Sequence, residues 1–135
     1  MHRVVIDANV AVSALLSPHG NLAQILNMVF NERLETYYCA EILAEYTKVL
    51  ARPRFDFSIE DQKHVIEGIQ MFGMLKEPSP CDIPFSDESD RVFYEVAKAA
   101  NAYLVTGNAK HFPDEPFIIS PAKCICLLSN VQTET

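Results

Sequence analysis

The sequence predicts an α/β protein, a three-layer α/β/α sandwich around a mostly parallel sheet, forming a single domain over residues 1–135. Two observations predict it. Short apolar or β-branched runs alternate with stretches whose apolar residues recur at helical spacing. That alternation implies parallel strands with helices covering both faces of the sheet. The length, with 49% hydrophobic and 21% charged residues, suits one ordinary globular core that needs no disulfide or metal staple.

The elements follow in order. Arg3-Val4-Val5-Ile6 is a short apolar strand, and the chain continues through Ala11–Leu16 as a short helix that Ser17-Pro18-His19-Gly20 breaks. Leu22, Ile25, Leu26 and Val29 mark a helix over Asn21–Phe30. Glu35–Cys39 is β-branched and aromatic, as a strand requires. The clearest helix spans Ala40 to about Ala51, where Ile42, Leu43, Tyr46, Val49 and Leu50 form one stripe before Arg52-Pro53 ends it. Ser58-Ile59-Glu60-Asp61 has the form of a capping box opening a further helix. Met74–Lys76 reads as a short strand, and Pro78–Ser86, with three prolines, as a loop. Asp87-Glu88-Ser89-Asp90 introduces a helix carrying Val92, Phe93, Val96 and Ala97. Tyr103–Thr106 is a buried strand closed by Gly107-Asn108, and Phe117–Ile119 is another. Ser120-Pro121, a cap followed by a first-turn proline, starts the last helix.

Composition narrows the function. A formal charge of −7 argues against a nucleic-acid binder that works through a broad basic face, though it leaves room for a nuclease whose acidic metal site contributes several of those charges. It also suits a partner carrying a basic segment. No segment approaches the roughly 20 apolar residues that span a bilayer. There is no signal pattern at the amino terminus, so the expected location is cytoplasmic. The four cysteines are expected as free thiols, Cys124-Ile125-Cys126 lacks metal-site spacing, and the four histidines show no paired spacing.

Oxygen-bearing side chains recur at element ends. Asp7 stands just past the first strand, where a residue of an open α/β sheet faces the ligand crevice; an Asp there also serves as a cap for the following helix. Glu45 lies at the edge of its helix's apolar stripe, about 100° from the centre, whereas Glu41 falls nearly opposite it in solvent. Asp87 and Asp90 fall in the first turn of their helix; one can cap it, which frees the other for a cleft, and Asp90 lies nearer the buried stripe. Thr106 and Asn108 end the second buried strand as a plain turn or as oxygen donors at the same sheet edge, with Gly107 permitting a tight turn. Hard oxygen groups without a His/Cys cluster favour Mg²⁺ or Mn²⁺ over Zn²⁺. Such ions activate water and neutralise a scissile phosphate.

In order and spacing these pieces resemble the PIN-domain family, the ribonuclease fold of many toxins in bacterial toxin–antitoxin pairs. The similarity runs from Val4–Val10 and Ser13–Leu16 through Glu41–Tyr46, Val49–Phe55 and Asp87–Phe93 to Tyr103–Asn108 and Ile119–Ala122. The resemblance implies that Asp7, Glu45 and Asp90 bind metal, that Asp87 assists, and that Thr106 positions water or phosphate. Asp90 is matched because seven residues separate it from Ala97, as in the family pattern. The resemblance further implies a Mg²⁺- or Mn²⁺-dependent endoribonuclease that leaves a 5′-phosphate and a 3′-hydroxyl, a cognate antitoxin, and a homodimer. Lys48, Arg52, Arg54, Lys110 and His111 lie close to these motifs as candidate contacts to the RNA backbone.

One position departs from the family pattern. Where Thr-Gly-Asp is usual this chain has Thr-Gly-Asn, so Asn108 offers a neutral carbonyl in place of a carboxylate and a second cation is held more weakly. This keeps open an alternative, a catalytically weakened or inactive PIN-like module that binds RNA or protein. A third reading, a metal-dependent phosphatase on a doubly wound sheet, also starts from a strand-end Asp. The phosphorylated-aspartate type wants a second Asp two residues on, where this chain has Asn9.

Overall fold

The structure, a computed structural model, describes residues 2–134, with side chains through residue 128. Five strands form one sheet in the order β3-β2-β1-β4-β5, every pair parallel. They are β1 (Arg3–Ile6), β2 (Glu35–Tyr38), β3 (Met74–Leu75), β4 (Tyr103–Val105) and β5 (Ile118–Ile119). Six α-helices accompany them: α1 (Ala8–Leu16), α2 (Asn21–Phe30), α3 (Ala40–Leu50), α4 (Ile59–Phe72), α5 (Arg91–Ala100) and α6 (Pro121–Glu134). The α/β/α expectation is met.

The topology creates the crevice. From β1 the chain steps outward to β2 and β3; it then returns to the other side of β1 for β4 and β5. Right-handed crossovers place the helices linking β1, β2 and β3 on one face and α5 on the other. Between β1 and β4 the connections leave in opposite directions, so a cleft opens outside their carboxyl ends. The register then decides what meets there. Ile6 pairs with Val105, which sets Asp7 beside Thr106.

Packing follows the apolar stripes. Val4, Val5 and Ile6 are buried to within 1% of full exclusion, as a central parallel strand covered on both faces should be. α5 lies on β1, β2 and β4 through Val92, Phe93, Val96 and Ala97. α3 meets α5 at the end of β1, where Tyr46 packs against Phe93 and its buried hydroxyl donates to the Ile6 carbonyl. Gly73 ends α4, where a Cβ would stand 2.4 Å from the Ile69 carbonyl oxygen of the helix's own last turn and 3.0 Å from Tyr38 of β2. Ser58 caps α4 and Ser120 caps α6 through the amides of Asp61 and Lys123, as their sequences predict. All four cysteines are free thiols. Among the described residues no helix is long and apolar enough to cross a membrane.

Three local expectations need correction. α1 begins at Ala8, not near Ala11, because Asp7 turns the chain directly off the strand and the Val10 amide already bonds to its carbonyl. Asp87 and Asp90 are not in the first turn of one α-helix. Asp87 caps a separate 3₁₀ turn, Glu88–Asp90, and α5 starts at Arg91. The Asp87 carboxylate accepts from both the amide and the hydroxyl of Ser89, which favours that tighter turn. Finally, Gly107 does not adopt a positive φ, and a Cβ there would meet nothing within 4 Å. Its glycine is not demanded by the turn.

Candidate active site

Asp7 sits on the floor of the crevice, 3% exposed. Although it holds the N-cap position of α1, its carboxylate makes no cap hydrogen bond of good geometry, the Ala8 and Asn9 amides only lying near it. Instead Oδ2 accepts a 2.8 Å hydrogen bond from the Thr106 hydroxyl, whose oxygen in turn accepts from the Asn108 amide at 3.0 Å. Burial raises the Asp7 pKa above the usual carboxylate value; the Thr106 hydroxyl and the first amides of α1 oppose the rise without cancelling it.

Asp90 closes the second side. Its carboxyl is pushed up to about 6, first by burial and then by repulsion from Asp7 and Asp87, with Glu45 adding to it. Glu45 is half-buried at the edge of α3, as its position beside the apolar stripe predicts, and Glu41 is exposed. Asp87 differs in character, since the Ser89 hydroxyl and amide hold its carboxylate below the ordinary range. Asp87 takes the capping role and Asp90 is the free carboxylate, as the two-acid reading of the helix start requires.

The donor set is hard oxygen throughout, the chemistry that suits a hard divalent cation. Among the described residues no three His, Cys, Asp or Glu side chains are gathered into a ready-made metal cluster. Each acid is drawn to its own partner: Asp7 to Thr106, Glu45 to Lys48 at 3.9 Å, and Asp90 to His111 at 3.9 Å. Asn108 is exposed at the mouth, and only its backbone is hydrogen-bonded among the described residues.

Two features escaped the sequence. Tyr46 reads as a core residue of the α3 stripe, yet its hydroxyl pins α3 to the last carbonyl of β1. Arg91 follows Glu88 at the i,i+3 spacing of a helical ion pair, a visible signal. It also donates to the Cys81 carbonyl at 2.8 Å and stacks over Phe85, tying the proline-bearing loop to the turn that carries Asp90. No local pattern in the sequence pairs positions 81 and 91.

Alongside the crevice, α3 and α5 enclose a groove of about 320 Å³ lined by Glu41, Glu45, Glu88 and Glu95 over Ala44 and Val92. The Arg91 guanidinium, also in its wall, is occupied by Glu88 and Cys81.

Comparison with known proteins agrees with this architecture. An uncharacterized protein of Methanocaldococcus jannaschii is 28% identical over 109 residues, covering 78% of this chain and 70% of that one. The fold is similar to that in the crystal structure of VapBC2 from Rickettsia felis bound to a DNA fragment from their promoter. That similarity covers 87% of this chain and 96% of the other, with a TM-score of 0.58 and 17% identity. Residues 3–110 match the PIN domain family model, a span that takes in Asp7, Glu45, Asp87, Asp90, Thr106 and Asn108, and on that match the chain belongs to the PIN-domain family.

Proposed function

We propose that the chain is a metal-dependent endoribonuclease and the toxin half of a toxin–antitoxin pair. The observation that carries this reading is the buried Asp7 carboxylate at the cleft between β1 and β4, bonded to Thr106 of the neighbouring strand end, in a chain that belongs to the PIN-domain family. Asp7, Glu45 and Asp90 would hold Mg²⁺ or Mn²⁺, with Asp87 assisting through the oxygen that Ser89 leaves free. The bound ion would supply Lewis acidity, polarising the attacking water and neutralising the scissile phosphate. Thr106 aims Asp7 and opposes the rise in its pKa, and Asn108 orients water or a phosphate oxygen at the mouth. The products expected are a 5′-phosphate and a 3′-hydroxyl.

The partner follows from charge. The acidic groove between α3 and α5 runs up to Glu45, so a basic segment of an antitoxin lying there would reach the catalytic acids. A homodimer and a cytoplasmic location complete the reading.

The Asn108 substitution favours a second reading, a PIN-like module that binds RNA or protein without cutting. Purified protein incubated with mixed structured and single-stranded RNAs in Mn²⁺, Mg²⁺ or EDTA separates the two, with Asp7→Ala prepared identically. Metal-dependent cleavage that vanishes in the variant supports the nuclease. Equal cleavage by both proteins, or none, overturns it and leaves the binding module.

A further inference from the structure

Asp90 is aimed by its backbone. Among the described residues its carboxylate has one partner, the exposed His111 imidazole, which at 3.9 Å is too far for a hydrogen bond. The backbone in question is the three-residue 3₁₀ turn Glu88–Asp90, a form with poorer hydrogen-bond geometry than an α-helix. Asp87 caps that turn from one side through Ser89. Arg91, the residue after it, grips it from the other.

Every nitrogen of the Arg91 guanidinium is engaged. Nε and Nη2 donate to the two carboxylate oxygens of Glu88, at 2.8 and 3.1 Å. Nη1 donates to the Cys81 carbonyl at 2.8 Å, and the guanidinium carbon lies over the Phe85 ring, 4.9 Å from its centroid. One turn along α5, the Glu95 carboxylate accepts from the Cys81 amide at 2.9 Å. Both backbone groups of Cys81 are thus held by α5. Phe85 also packs against Tyr94 and against Phe112, the residue that follows the 3₁₀ turn Ala109–His111. Glu88 is exposed, so its ion pair alone adds little stability; the fork matters because it joins the turn to a docked loop.

We propose that Arg91 is a positioning residue for the metal site, its fork locking the 88–90 turn to the Cys81–Phe85 loop and so holding the Asp90 carboxylate in place for the cation. This rests on the metal-dependent reading of the site and deepens it. A lysine is a single point charge and cannot span Glu88 and Cys81 at once. The sign of the effect separates positioning from charge. Arg91 is a cation one residue from Asp90, so losing its charge alone would tighten the binding of another cation. Losing the fork frees the turn and weakens that binding.

The test is calorimetric titration of the full chain with Mn²⁺, with thermal melts to confirm that each variant folds. Arg91→Ala should weaken Mn²⁺ binding about tenfold. Arg91→Lys keeps the charge, serves if the alanine variant misfolds, and should lose nearly as much. Asp90→Asn should bind Mn²⁺ equally weakly with and without Arg91→Lys, because the arginine acts through Asp90. General damage to the fold would instead weaken binding further in that background. In RNA cleavage the loss should fall on kcat, with KM for RNA unchanged. The role is overturned if a folded Arg91 variant binds Mn²⁺ as tightly as the wild type or more tightly. It is also overturned if the loss persists in Asp90→Asn, if KM alone changes, or if the wild type binds no Mn²⁺. The nuclease reading has its own control. Cleavage insensitive to Asp7→Ala would remove that reading while the expected losses of Mn²⁺ affinity left the positioning role standing.

Discussion

The Thr106 hydroxyl donates a 2.8 Å hydrogen bond to Asp7 Oδ2 across the boundary between β1 and β4. Both side chains are buried, Thr106 to 1% exposure and Asp7 to 3%. One bond thus joins the two strand ends between which the crevice opens. Thr106→Val keeps the shape and removes the donor, so it should cost about 1.5–3 kcal/mol in denaturant melts. Mn²⁺ affinity should fall too, since the Asp7 carboxyl rises further. Thr106→Ser should restore both, and unchanged metal titrations in the valine variant would show that the bond is only structural.

Asp90 makes stability depend on pH in a direction opposite to most carboxylates. Its folded pKa of about 6 exceeds its unfolded value of 3.8, so the folded state binds more protons between them. Stability from this group therefore falls as pH rises through that window and stays low above it. In EDTA, the wild type should lose stability relative to Asp90→Asn between about pH 4 and pH 7. Asp87, with its lowered pKa, acts below that window and in the opposite sense. Parallel melting curves for the two proteins across that range would contradict the crowding of Asp90.

Metal should reverse this penalty. At pH 7.5, added Mn²⁺ should raise the melting temperature of the wild type and raise that of Asp90→Asn far less. Equal shifts would place the cation elsewhere.

Asn108→Asp should add a fourth carboxylate at the mouth. Mn²⁺ affinity and cleavage should rise, and stability in EDTA should fall because another negative charge joins the cluster. Calorimetric metal titration checks the first and a melt the last. A variant that binds metal no better would mean that position 108 lies outside the coordination sphere.

Tyr46→Phe should cost about 1 kcal/mol by removing the hydroxyl that anchors α3 to the Ile6 carbonyl. If that anchor aims Glu45, metal affinity should fall along with stability. A stability loss with unchanged metal binding would confine Tyr46 to packing.

Much of this was legible in the chain itself. Periodicity reveals the elements, and it places Asp7, Glu45 and Asp90 at a strand end, the edge of a stripe and a helix start, as the structure has them. The Asp87–Ser89 cap belongs to the same class, because local hydrogen bonds reach only two or three residues. Gly107 permits a tight turn, but the observed backbone there has no positive φ and does not use the freedom that only glycine gives.

The sequence by itself determined which side chains lie at element ends and which faces are apolar, since those properties follow from spacing along one strand or helix. Only the tertiary structure decided that Asp7 meets Thr106, that His111 approaches Asp90, and that Arg91 ties down Cys81. Asp7 and Thr106 are 99 residues apart in sequence, and their contact depends on β4 returning beside β1 in the register Ile6–Val105. Strand pairing is a global choice of neighbour and register, settled by burial of both faces of the sheet rather than by any residue's local preference. The raised pKa of Asp90 has the same origin, because desolvation and the fields of distant acids exist only once those elements have packed.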